Sequence, residues 1–193
     1  MRKLIIAIAA VFLIPCFCFS QEVIVAKKKA SGACNTASTY CIGITGSEEN
    51  LSPNYYYVAT AFTMGETATV CSIDLEFKKG VTPTGTYKAG IYSNNSGEPG
   101  TLIGSWSDNR TVSDLTTSYA YTNMTKTGGL GAALTASTLY WIVVYASGYL
   151  QDNLFVYNYT DCLVGSNYIK RSDDATTWNN GGQTTAMHYK LYK

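Results

Sequence analysis

Apolar and polar residues alternate with a period of two along most of the 193-residue chain, and no segment carries a helical stripe. In residues 71–77 every second side chain is apolar, which is typical of a half-buried antiparallel strand. Residues 139–146 are apolar on both faces, which indicates a central strand. The pattern predicts eight strands, at residues 55–64, 71–77, 86–92, 102–106, 118–124, 139–146, 154–159 and 187–192.

Turn residues separate these strands, and the chain has sixteen tyrosines, seventeen glycines and abundant threonine. This composition favours two packed sheets, so the predicted fold is all-β, an antiparallel jelly-roll-like β-sandwich. The stretch GTYKAGIYSNNSGEPGTLIG, residues 85–104, is predicted as two strands joined by a turn.

The first 20 residues have two cations, Arg2 and Lys3, an apolar run and a final Ser20, which predicts a signal peptide cleaved after Ser20. A lipoprotein acylated at Cys16 is the less favoured alternative. The predicted organisation is then a secretory leader at 1–20, an N-terminal extension with a cysteine loop at 21–50 and a β-sandwich domain at 51–193. The expected location is secreted, extracellular or periplasmic.

Charge excludes some classes of partner. Of the 14 Lys and Arg residues two lie in the leader, so 14 − 2 = 12 oppose 13 Asp and Glu, a net charge of −1. This balance argues against nucleic acid or an anionic membrane as the partner. No apolar run after the leader is long enough to span a bilayer.

Four cysteines follow the leader: Cys34, Cys41, Cys71 and Cys162. An even number in an exported chain predicts two disulfides, for which three pairings exist. The favoured pairing is Cys34 with Cys41 and Cys71 with Cys162. A metal site is the alternative, but there is no CxxC pair and His188 is the single histidine.

The order of segments resembles the choice-of-anchor R type of secreted β-sandwich domain, a carbohydrate-binding-module-like jelly roll. The matching runs are AFTMGETATVCSIDLEFKKGVTPTGTYKAGIYSNNSGEPGTLIGSWS, LTTSYAYTNMT, ALTASTLYWIVVYASG and AMHYKLYK. The resemblance covers about residues 54–193. These motifs belong to the scaffold, so the resemblance implies a fold more than a function.

Catalytic chemistry finds little support. Asp74 and Glu76 share one strand face, but the remaining positions of a Glu-x-Asp-x-x-Glu glycosidase run are Ser72 and Phe77, so both carboxylates are interpreted as solvated. His188 is expected on the outward face, as an ordinary surface histidine with no Gly-x-Ser-x-Gly elbow to serve. The expectation is that the protein is not an enzyme.

The sequence offers better candidates for a ligand-binding site, because aromatic rings stack on sugars while amides bind hydroxyl groups. Trp178 is the leading candidate, since TTWNNGGQTT places it among amide side chains in a loop expected to be accessible, although the favoured interpretation of this ring is that it folds back to cap the core. The candidate ligand-binding residues are Trp178, Asn179, Asn180, Gln183, Tyr92 and Trp106.

No cofactor is expected, with a structural calcium ion as the alternative, bound by loop oxygens. The candidate ligands are Asn94, Asn95 and Glu98, or Asp173 and Asp174, and neither set has a ligand-spacing signature.

The favoured function is a secreted, non-catalytic module that binds glycan or another extracellular surface component. The alternative is an assembly subunit of an extracellular appendage or matrix, because EVIVA, residues 22–26, could add a strand to a neighbour's sheet edge.

Overall fold

The structure is a computed structural model that describes residues 34, 37–41, 46–50, 56–81, 84–147, 154–159, 169–180 and 186–193. Within them the chain forms sixteen strands and one short 3₁₀ helix, Val112–Asp114. No helix in these residues has the length and apolarity that a membrane crossing needs. The strands are β1 (Ala37–Cys41), β2 (Gly46–Asn50), β3 (Tyr57–Thr63), β4 (Ala68–Val70), β5 (Ser72–Lys79), β6 (Thr86–Asn95), β7 (Glu98–Ile103), β8 (Arg110–Thr111), β9 (Ala120–Thr125), β10 (Ala132–Leu134), β11 (Leu139–Ser147), β12 (Leu154–Tyr159), β13 (Lys170–Ser172), β14 (Asn179–Asn180), β15 (Ala186–Met187) and β16 (Tyr189–Tyr192).

These strands pair into two seven-stranded sheets and one two-stranded sheet, β10–β4. In sheet I, the central strand is β5, and β9 pairs along one of its edges. Along the other edge, β16 pairs with the first half of β5 and β12 with the last residues. The strands β1, β2 and β15 complete the sheet. Sheet II has the order β14-β13-β3-β11-β6-β7, with β8 beside β6. Every pairing is antiparallel, so the predicted all-β antiparallel sandwich is confirmed.

Each predicted strand overlaps a strand of the structure; most boundaries shift by a few residues, and two differences are larger. The strand predicted at 102–106 is β7, which begins at Glu98, because Ser96 and Gly97 both have positive φ angles, 54° and 89°, and close a tight hairpin. The strand predicted at 187–192 is divided at His188 into β15 and β16.

The main core lies between the two sheets. From β5 it takes Ile73, Leu75 and Phe77, which confirms the alternation predicted there. Sheet II supplies Phe62, whose ring lies 5.7 Å from that of Tyr189 on sheet I. Ring contacts of this kind add to the burial of apolar area, so the sheets are held face to face by packing.

A second apolar cluster covers the outer face of sheet II, and we call it the aromatic face. It explains why β11 is apolar on both sides: Ile142 and Val144 belong to the main core, while Trp141 and Val143 point outward. The central position predicted for this strand is confirmed, since β3 and β6 flank it. The buried members of the aromatic face are Ala59, Ala61, Tyr92, Trp141, Val143 and Trp178, with Tyr57, Leu102, Trp106, Leu139 and Ala175 packed against them.

The disulfide of the structure joins Cys34 to Cys71, so the predicted pairing of Cys34 with Cys41 and of Cys71 with Cys162 is wrong. Sheet pairing explains the result. The strand that follows Cys34, β1, pairs with the last strand, β16. The Cys71 amide donates to the carbonyl of Tyr192 on that same strand. Cys34 is thereby brought beside Cys71, with their Cα atoms 5.8 Å apart. Cys162 lies outside the described residues.

The leader predicted at 1–20 also lies outside the described residues, and the signal peptide stays a prediction. The extension predicted at 21–50 contains β1 and β2, and both belong to sheet I: β1 pairs with β16 and β2 pairs with β12.

Candidate functional site

Residues 104–109, which connect β7 to β8, bridge the two sheets along one side of the sandwich together with Arg110 at the start of β8. On sheet II, the Ser107 amide donates to the Ala89 carbonyl (2.8 Å) and the Ala89 amide donates to Ser107 Oγ (3.0 Å). On sheet I, the Asp108 amide donates to the Thr125 carbonyl (2.8 Å) and Arg110 Nη2 to the Asn123 carbonyl (3.0 Å). The segment is therefore held to both sheets by backbone and side-chain hydrogen bonds.

Trp106 is seated by this segment on the outer face of β6. A Cβ atom at Gly90 would lie 3.0 Å from Trp106 Cε3 and 2.8 Å from Leu102 Cδ1, so the ring occupies the space that a side chain would need. The Tyr92 ring meets the indole edge-on at 5.6 Å. Trp106 is half-buried, which leaves part of its ring at the surface.

Lys88 lies next to this ring. Its Nζ atom is 4.8 Å from the centre of the Trp106 ring and 5.3 Å from the centre of the Tyr145 ring, both within the range of a cation–π interaction. The two rings thus fix the position of the ammonium group.

These side chains form one wall of an open groove of about 470 Å³, which we call the Trp106 groove. Its volume lies within the range of small-molecule sites. Aromatic, amide, hydroxyl and charged groups converge in it, as recognition of a polar ligand with apolar faces requires. Besides Trp106, the lining consists of Lys88, Leu102, Gly104, Ser105, Ser107, Asp108, Asn109 and Lys126.

A second groove, of about 450 Å³, lies between the β6–β7 turn and residues 175–176. Its lining contains amide and hydroxyl side chains but no aromatic ring. Asn94, which belongs to it, already accepts hydrogen bonds from Trp141 Nε1 (3.0 Å) and from the Gly97 amide (3.2 Å).

Trp178 lies on the aromatic face, 7% exposed, with its ring edge-on to Tyr57 at 6.4 Å. The ring is therefore folded back onto the protein, which is the arrangement favoured for it from the sequence, and the interpretation of Trp178 as an accessible stacking ring is wrong. Asn179 and Asn180 are exposed in β14, which pairs with β13, and Gln183 lies outside the described residues. Of the candidate residues, Tyr92, Trp106 and Trp178 share one face.

Asp174 explains why Trp178 turns inward. Its Oδ1 atom accepts hydrogen bonds from the Thr176 and Thr177 amides, each at 2.8 Å, and from the Ser172 hydroxyl at 3.0 Å. The Thr177 amide, followed by the hydrogen bonds from Thr176, holds the pKa of this carboxyl well below its usual range. The chain is folded tightly just before the indole, which directs the ring onto the sheet.

Three of the five calcium candidates are engaged with protein groups. Asn94 and Asp174 accept the hydrogen bonds described above, and Glu98 Oε1 lies 3.5 Å from Lys170 Nζ. In the described part of the chain, no group of three or more His, Cys, Asp or Glu side chains is arranged to hold a metal ion. Bound calcium stays a prediction that these contacts do not favour.

On the outer face of sheet I, His188 is not the surface histidine that was predicted: it is 5% exposed. Its Nδ1 atom lies 2.5 Å from Glu76 Oε2, and its Nε2 atom 2.7 Å from the Tyr121 hydroxyl. Glu76 and Tyr121 are cross-strand partners, so strand order brings the three side chains together.

Asp74, also predicted to be solvated, accepts hydrogen bonds from Asn123 Nδ2 (2.7 Å) and from the Tyr192 hydroxyl (2.8 Å). Burial, and then the contact with Asp74, raises the pKa of Tyr192 to about 12. We call this set, Asp74, Glu76, Tyr121, Asn123, His188 and Tyr192, the polar face.

No protein-family model, curated protein or solved structure matches the chain. The resemblance to the choice-of-anchor R domain therefore stays a prediction. The functional assignment depends on the geometry of the site.

Proposed function

We propose that this protein is a secreted, non-catalytic β-sandwich module that binds a saccharide in the Trp106 groove. The observation that carries the proposal is a half-buried indole in the wall of an open groove lined by amide, hydroxyl and charged side chains. Secretion is supported by the leader-like pattern of residues 1–20.

A saccharide suits this groove because its C–H faces pack on an aromatic ring while its hydroxyl groups need donors and acceptors at the edge of that ring. Trp106 supplies the ring, and Ser105, Asp108 and Asn109 supply polar groups from the same segment. Since hydrogen bonds to both sheets hold the segment, little conformational freedom is lost on binding. The second groove has no ring in its lining and is the weaker candidate.

The groove lining also supports binding without hydrolysis. Asp108 is the single carboxylate among the residues that line it, whereas glycoside hydrolysis requires two positioned carboxyl groups. The alternative of an assembly subunit rested on residues 22–26, which lie outside the described residues, and it stays a prediction.

Affinity electrophoresis in gels that contain neutral or acidic polysaccharides tests the proposal. We expect at least one polysaccharide to retard the protein, and Trp106→Ala to weaken its affinity by about tenfold or more, as loss of one stacking ring implies. Tyr56→Ala is the control, because it removes an exposed aromatic side chain outside the groove. Retardation by no polysaccharide, or equal retardation of Trp106→Ala and wild type, would overturn the proposal.

A further inference from the structure

Three charged side chains line the Trp106 groove: Lys88, Lys126 and Asp108. Among the described residues, neither lysine has a carboxylate oxygen within the 4.0 Å of an ion pair. Elsewhere lysines do have such partners: Lys170 lies 3.5 Å from Glu98, and Lys193 lies 2.5 Å from Glu66. The groove therefore has two ammonium groups that form no ion pair with a carboxylate in the described part of the chain.

The two lysines are held differently. Lys88 is half-buried against Trp106 and Tyr145, and aromatic rings attract a cation without neutralising its charge. Its ammonium group lies within 5 Å of the centre of the ring on which we propose the saccharide packs. Lys126 is exposed and follows β9 directly. A ligand against the indole thus meets one fixed cation and one adjustable cation.

From this arrangement we infer that the preferred ligand is an acidic saccharide, a uronate whose carboxylate binds the ammonium groups of Lys88 and Lys126. The inference rests on the proposed function and specifies its ligand class. A carboxylate on the sugar ring forms charge-assisted hydrogen bonds that a neutral sugar cannot form. Asp108, the remaining charge of the lining, stays available to accept hydrogen bonds from sugar hydroxyl groups.

The test compares one polymer in two charge states: polygalacturonate and its fully methyl-esterified form, titrated calorimetrically against the purified protein. We expect the acidic polymer to bind about tenfold more tightly at low ionic strength, and the difference to shrink as added salt screens the charges. Dextran sulfate, titrated in parallel, distinguishes recognition of a carboxylate from attraction to any polyanion.

Lys126→Gln should weaken binding of polygalacturonate by about fivefold and leave binding of the ester unchanged, because one charge-assisted contact is lost. Lys88→Met keeps an apolar side chain on the rings but removes the charge, so it too should weaken binding of polygalacturonate and leave binding of the ester unchanged. Lys79→Gln is the matched control: it removes one charge at a lysine that donates to the Ser113 carbonyl, outside the groove lining. A thermal melt of each variant verifies folding.

The outcomes separate the two proposals. If both polymers bind equally and Trp106→Ala weakens both, the inference is overturned while the proposed function stands. The inference is also overturned if dextran sulfate binds as tightly as polygalacturonate, or if Lys79→Gln weakens binding as much as Lys126→Gln. If no saccharide binds, both proposals fail.

Discussion

The aromatic face of sheet II and the polar face of sheet I are each built by side chains from neighbouring strands, but from different chemistry. On the aromatic face, Trp141, Tyr92 and Trp178 bury ring surface against the small side chains of β3. On the polar face, Glu76 contacts His188, and Asp74 accepts hydrogen bonds from both neighbouring strands. One outer face is covered by packing and the other by directional contacts.

This difference bears on where the proposed ligand would find groups that the protein itself does not use. The carboxylates of the polar face already have donors, so a ligand there would have to replace contacts within the protein. At the border of the aromatic face, part of the Trp106 ring is exposed and two lysines have no anion among the described residues. For this reason the proposed site lies at the Trp106 groove and not on the polar face, although the polar face has the denser set of titratable side chains.

The largest effect that distinguishes the two faces is expected from Trp141→Ala. Trp141 is 1% exposed, and its Nε1 donates to Asn94, so truncation leaves a cavity and removes one of the two hydrogen bonds that Asn94 Oδ1 accepts. We expect the free energy of unfolding to fall by about 3–5 kcal/mol in urea denaturation. Trp106→Ala is the control and should cost less, since that ring is half-buried; an equal loss would mean that the depth of burial does not set the cost of removing a ring from the aromatic face.

Sheet I carries a covalent link, and its removal is expected to have a slightly smaller effect. The Cys34–Cys71 disulfide closes a loop with a sequence separation of 37 residues, for which chain entropy implies a loss of about 3–4 kcal/mol in the double serine variant. Urea denaturation measures the loss. Peptide mapping of the non-reduced protein checks the pairing, and a peptide that links Cys71 to Cys162 would contradict it.

On the polar face, Glu76→Gln should lower the free energy of unfolding by about 1–3 kcal/mol, because the largely buried His188 loses its carboxylate partner. Glu98→Gln provides the comparison, since it removes a carboxylate from a more exposed ion pair with Lys170 and should cost less than about 1 kcal/mol. Chemical denaturation of both variants measures this. Equal effects would show that the polar face behaves as an ordinary solvated surface.

The smallest effect is expected at Asp174, whose pKa is lower in the folded protein than in the unfolded chain. A lowered pKa stabilises the fold fully above the unfolded value, about 3.9, and this stabilisation is lost as the pH falls toward the folded value. Wild type should therefore be more stable than Asp174→Asn near neutral pH, and the difference should shrink below about pH 4. Urea denaturation across that range checks this; a difference independent of pH would contradict the prediction.

Several features follow from local sequence pattern. Alternation in β5 places Ile73, Leu75 and Phe77 on one face, and the apolar run of β11 indicates cover on both sides, because side chains of a strand point alternately to its two faces. Trp106 and Tyr92 were recognised as candidate ligand-binding aromatics from residue type alone, and the structure places them side by side.

Other features depend on which strands become neighbours. Alternation states which residues of one strand share a face, but it does not give the order of the strands. The contact of His188 with Glu76 spans 112 positions, and the partner of Cys34 is decided by the pairing of β1 with the last strand. Lys88 and Trp106 meet because the segment after β7 returns along β6. Local alternation alone predicts an all-β fold and the inward-facing positions of its strands; the groove and its charges arise from long-range pairing, which no local period encodes.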